Sequence, residues 1–87
     1  MSKYDSLEAL HEMLLMISDY KDDNEYRKNF TQVDEYNILS SITENLKDLN
    51  VNVPEVLSEG SFDLLIESGE VDAICDEVKA KYNFDLL

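Results

Sequence analysis

Thr31-Gln32-Val33-Asp34-Glu35-Tyr36-Asn37-Ile38-Leu39-Ser40-Ser41-Ile42-Thr43-Glu44-Asn45-Leu46-Lys47-Asp48-Leu49 is the stretch whose reading decides the fold. Val33, Tyr36, Leu39, Ile42, Leu46 and Leu49 recur every three or four residues, while Asp34, Asn37, Ser41, Asn45 and Asp48 occupy the opposite side. That spacing predicts an amphipathic helix over Gln32 to Leu49, because residues three and four apart share a helical face. Thr31 supplies its N-cap. Asn50 and Asn52 break the pattern, and Val53 before Pro54 is read as extended. The alternation Leu49-Asn50-Val51-Asn52-Val53 has the period of a strand, but a lone strand lacks a pairing partner, so it is read as an extended connector.

Upstream, a first helix is predicted from about Ser6 to Tyr20. Asp5 is its expected N-cap, with Glu8 closing a capping box. Leu7, Leu10, Leu14 and Ile17 make one stripe, and Met13, Leu15 and Met16 widen it. The segment Asp19 to Asn29 reads as a polar connection with a helical turn near Glu25–Lys28. Downstream, Pro54 suits the first turn of a short helix through about Ser58. Ser61 caps a short helix from Phe62 to Glu67 that Gly69 ends. A last helix is predicted from about Glu70 to Lys81, with Val71, Ile74, Cys75, Val78 and Tyr82 inward and Asn83 as its stop. The tail Phe84-Asp85-Leu86-Leu87 is apolar enough to dock back on the core. The expected fold is therefore all-α, a single domain over residues 1–87. It is a compact bundle or orthogonal array of three principal helices plus one or two short ones. With 2 Gly and 1 Pro in 87 residues, the chain lacks the turn residues of an all-β meander or the composition of a disordered linker.

The charge balance is unusual. Twenty Asp and Glu face seven Lys and Arg, a formal net charge of −13. Magnitudes of about 2–8 already keep a small domain soluble, and the excess adds self-repulsion. Either an acidic field is selected, or the chain comes from an acidic background composition such as that of salt-adapted proteomes. Direct nucleic-acid binding is disfavoured for want of clustered Lys and Arg; anionic membranes are disfavoured for the same reason. The single Cys75 cannot form an internal disulfide, so a cytoplasmic, reducing setting is expected. No signal-peptide pattern follows Met1-Ser2-Lys3-Tyr4-Asp5, and the longest apolar run, Met13 to Ile17, is too short to span a bilayer. The sequon Asn29-Phe30-Thr31 then carries no expected glycan.

Between Lys47 and Lys79 no basic residue occurs, while Asp48, Glu55, Glu59, Asp63, Glu67, Glu70, Asp72, Asp76 and Glu77 are all acidic. On a helix, positions i and i+4 lie about 5–6 Å apart, comparable with the spacing of successive phosphates on a DNA strand. Glu55, Glu59, Asp63 and Glu67 are spaced by four, with Gly60-Ser61 interrupting. The expected partner-binding residues are Glu55, Glu59, Asp63, Glu67, Glu70, Asp72, Asp76 and Glu77. A solvated helix exterior is the plainer account of the same run.

Other chemistries find little support. An EF-hand reading from Asp19 puts Lys21 at loop position 3, Asn24 at 6 and Phe30 at 12, against the pattern; Asp19, Asp22, Asp23 and Glu25 allow only loose cation association. Zinc needs about four ligands, and one His and one Cys on separate helices do not supply them. Cys75 lies among Val71, Ile74 and Val78, which reads as an inert thiol, and His11 as a boundary residue; no Cys-His nucleophile pair is expected. Glycosidase chemistry wants a cleft with aromatic walls, and there is no Trp. No Gly-rich phosphate loop is present. No cofactor, metal or catalytic residue is expected.

One four-residue stretch, Asp5-Ser6-Leu7-Glu8, resembles the Asp-Ser-Leu motif of acyl and peptidyl carrier proteins, which are also small, acidic and helical. The resemblance implies phosphopantetheine on Ser6. In that family a whole helix precedes the Ser, whereas here four residues precede Asp5, and a helix cap accounts for Asp5, Ser6 and Glu8. The function expected from the whole sequence is an inhibitor or modulator that occupies the basic surface of a nucleic-acid-binding protein or nuclease by charge mimicry, as phage anti-defence and nuclease-immunity proteins do as a class. The alternative is a helical interaction or self-association module working through Met13, Leu15 and Met16. Monomer and homodimer both fit the sequence.

Overall fold

A computed structural model describes residues 2–87. Along the chain run α1 (Lys3–Asp22), α2 (Asn24–Arg27), α3 (Gln32–Asp48), a 3₁₀ segment (Glu55–Glu59), α4 (Phe62–Ser68) and α5 (Glu70–Tyr82). No strand occurs among the described residues, so 49–53 is a connector. The class is all-α, as the periodicities require: three principal helices, α1, α3 and α5, joined by three short pieces.

Residues at the ends of elements do much of the shaping. α1 starts earlier than its sequence suggests, because Ser2, not Asp5, is the N-cap; its hydroxyl accepts from the Asp5 N–H. Ser6 therefore sits inside the helix, 1% exposed. Asp23 ends α1 and at once caps α2, accepting from the N–H groups of Glu25 and Tyr26. Thr31 and Asp34 form a capping box at α3, each side chain accepting from the other's backbone N–H. At the far end of α3, Asn50 adopts a left-handed φ of 56°. Val51 N–H reaches back to the Leu46 carbonyl and Asn50 N–H to that of Lys47, which together make a Schellman stop. Gly60 and Gly69 are left-handed after the 3₁₀ segment and α4.

α1 lies against α3, α3 against the 3₁₀ segment, and α4 against both the 3₁₀ segment and α5. The core they share holds Leu7, Leu10, Leu14 and Ile17 of α1, Leu39, Ile42 and Leu46 of α3, and Phe62, Leu65, Ile74 and Val78 from the C-terminal half. Leu86 of the tail is buried with them, and His11 Nδ1 donates to its carbonyl at 2.6 Å. At one end Tyr20, Tyr26, Phe30 and Phe62 form edge-to-face pairs with ring centroids 5.1–6.0 Å apart. That geometry suits aromatic quadrupoles.

Two residues of the expected α3 stripe are not in the core. Val33 is 66% and Tyr36 59% exposed. Each step of three residues rotates about 60° backwards around an α-helix. Two such steps from Leu39 carry Val33 about 120° away from the buried face. The inward positions of those first turns belong to Glu35 and Ile38, both partly covered.

Candidate functional site

The eight carboxylates expected to face a partner fall on three consecutive elements: Glu55 and Glu59 on the 3₁₀ segment, Asp63 and Glu67 on α4, and Glu70, Asp72, Asp76 and Glu77 on α5. Glu70 and Glu77 are partly covered; the other six are exposed. Among the described residues, ion pairs within 4 Å join Lys28 to Glu25, Lys47 to Glu44 and Lys79 to Asp85. None of the eight takes part in one.

Most of the cations are engaged elsewhere, although Lys21 lines the same cavity as Asp72. Arg27 donates from Nε to the Tyr20 carbonyl and from Nη2 to that of Lys21. Its guanidinium lies 5.1 Å from the Tyr20 ring centroid, so it closes the C-terminal end of α1, where carbonyls lack helical partners. Lys81 donates to the Asn50 carbonyl at 2.7 Å. Much of the chain's positive charge thus serves helix ends and local pairs.

The spacing by four does not become a single column. In a 3₁₀ segment, with three residues per turn, Glu55 and Glu59 point about 120° apart. Left-handed Gly60 then redirects the chain before α4. Asp63 and Glu67 are one α-helical turn apart, as are Asp72 and Asp76. Asp63 stands by the Tyr20 phenol: burial pushes that phenol's pKa up, and Asp63 and Glu35 push it further, against the opposing Arg27. Asp72 and Asp76 flank Cys75, whose thiol is raised first by burial and then by those two charges. Cys75 is half-buried, not enclosed, and a raised pKa leaves little nucleophilic thiolate at neutral pH.

Glu77 has a different task. Its carboxylate accepts from the Asn52 N–H at 3.0 and 3.1 Å. Tyr82 donates to the Leu49 carbonyl. With Lys81, these α5 side chains hold the backbone that leaves α3. Sequence reasoning counted Glu77 among outward charges and had no signal for this clamp, since its partner is a main-chain group 25 positions away. It missed Glu35 for the same reason: Glu35 Oε1 accepts from the Phe62 N–H at 2.8 Å and so caps α4 together with Ser61.

No group of three or more His, Cys, Asp or Glu among the described residues is arranged to hold a metal ion. No helix among them is long and apolar enough to cross a membrane. Ser6, where the carrier-like motif would place its cofactor, is enclosed within α1. A small acidic all-α domain is the class that these features define. Comparisons with protein-family models, curated proteins and solved structures return no match.

Proposed function

We propose that the chain is a stoichiometric inhibitor or modulator that occupies the basic surface of a nucleic-acid-handling protein by charge mimicry, in the manner of phage anti-defence and nuclease-immunity proteins. The observation that carries this reading is the set of six exposed carboxylates, Glu55, Glu59, Asp63, Glu67, Asp72 and Asp76, with no cation at ion-pair distance among the described residues. Such charges hold a net negative field that steers a cationic surface toward them and is damped by salt over a Debye length of about 8–10 Å. They sit on mutually packed elements, which limits the entropy lost on docking. The protein acts in this reading without chemistry of its own, in the cytoplasm.

Capture of a basic partner from host lysate, at low salt and at about 0.15 M, tests it. The bound protein should fall steeply with salt. The triple variant Glu59→Lys, Asp63→Lys and Glu67→Lys should lose it at both concentrations while keeping its helical circular dichroism. Salt-independent capture that survives the triple variant would sink the reading. It would favour the alternative of apolar docking through α1, where Leu15 is 44% exposed while Met13 packs on the core; loss of capture on Leu15→Ser would then identify that face.

A further inference from the structure

A groove of about 340 Å³ runs along α3 where the connector and the 3₁₀ segment cross it. Tyr36 and Ser40 lie on the α3 side, Val53 and Pro54 on the connector, and Glu44 and Glu55 are among its lining residues. No cationic residue lines it. Its size is at the lower end of the range for ligand-binding clefts, about 300–1,000 Å³.

Tyr36 is 59% exposed, and Gly60 lies beside one edge of its ring: a methyl group built onto Gly60 would stand 3.3 Å from Tyr36 Cδ2. The Gly60 φ of +69° and the neighbouring Glu35–Phe62 hydrogen bond hold that turn against the start of α3. An exposed aromatic face, an apolar wall and two carboxylates together meet the needs of a guanidinium. Its plane stacks on an aromatic ring, its fork matches a carboxylate, and its methylene stem prefers apolar contact. A wholly apolar anchor would strip water from Glu44 and Glu55 without replacing it. A second copy of the chain is a poor occupant, because its only arginine, Arg27, is already bound to the Tyr20 and Lys21 carbonyls. Lys47 is the nearest competitor for Glu44, in an exposed pair at 3.9 Å of the kind worth little.

We infer that this groove is an arginine-anchoring subsite: it takes an arginine side chain of the basic partner, guanidinium on Tyr36 and against Glu55, stem along Val53 and Pro54. The inference rests on the reading of a cationic partner and adds where that partner is gripped.

A blocked tripeptide, arginine between two leucines, titrated into the ¹⁵N-labelled protein provides the test, with the same peptide carrying neutral, isosteric citrulline as control. The arginine peptide should shift the amide signals of Tyr36, Ser40 and Glu55 and leave α5 unmoved; the citrulline peptide should not. Tyr36→Ala and Glu55→Gln should each weaken binding about three- to tenfold, while Tyr36→Phe retains it. Both positions are exposed, and unchanged signals elsewhere verify the fold of each variant. Shifts confined to the α4 and α5 carboxylates would overturn the groove and leave charge mimicry standing. Groove shifts that persist with citrulline would make it an apolar site and overturn the arginine. Absence of any shift at millimolar peptide overturns the subsite, and the salt-dependent capture above then decides the wider reading by itself.

Discussion

Ser6 illustrates how far one residue's surroundings decide its meaning. Next to Asp5 and Leu7 it could serve as a helix cap or a modification site. One turn inside α1, 1% exposed, its hydroxyl has no hydrogen-bond partner among the described residues. A buried unsatisfied polar group costs about 1–3 kcal/mol, and alanine removes it while improving helix propensity. Ser6→Ala should therefore leave stability unchanged or raise it by up to about 1 kcal/mol. Urea unfolding checks this, and a clear loss of stability would show that the hydroxyl has a partner. Leu7, Leu10 and Leu14 were legible as core from spacing alone. Val33 and Tyr36 were not legible as surface, because the pattern allows a stripe to continue where the fold no longer covers it.

At the scale of elements, the termini carry the information. Thr31, Ser61, Gly69 and Asn83 each act where the sequence puts a boundary, since capping chemistry is local. The clamp of α5 on the end of α3 is not local. Glu77 meets Asn52 and Tyr82 meets Leu49 across 25 and 33 positions, and no spacing rule announces such pairs. Glu77→Ala should cost about 1 kcal/mol by freeing the Asn52 N–H, whereas Asp76→Ala, exposed one position earlier, should stay within about 0.5 kcal/mol. Equal effects in chemical denaturation would remove the distinction between a structural and an outward carboxylate. The aromatic group of Tyr20, Tyr26, Phe30 and Phe62 also escaped a periodic reading, because Tyr26 lies in a segment that reads as a polar connection and Phe30 falls between that segment and α3.

For the molecule as a whole, a net charge of −13 is confined to a body of 33 × 23 × 21 Å. With few ion pairs to offset it, mutual repulsion opposes folding. Raising salt from about 0.01 M to 0.15 M shortens the Debye length from about 30 Å to 8 Å, from beyond the molecule's short dimensions to well within them. The thermal midpoint should rise, and since 1 kcal/mol corresponds to about 4–8 °C in a domain of this size, a shift of several degrees is expected. A midpoint that stays flat or falls across that range would mean that the carboxylates are already neutralised within the fold. In the proposed reading the same screening weakens partner capture, so stability and binding should move in opposite directions with salt.

The sequence by itself determined the all-α class, the approximate ends of α3, α4 and α5 and most of the core, because periodicity and capping act within a turn or two of chain. It also determined that the region between Lys47 and Lys79 would carry acidic residues and no basic one. Only the tertiary structure decided which of those carboxylates remain outward, that Glu77 and Glu35 bind main-chain N–H groups, and that Tyr36 stands exposed beside a groove. Those outcomes depend on where segments distant along the chain come to rest against each other. That follows from how helices pack, and no local pattern encodes it.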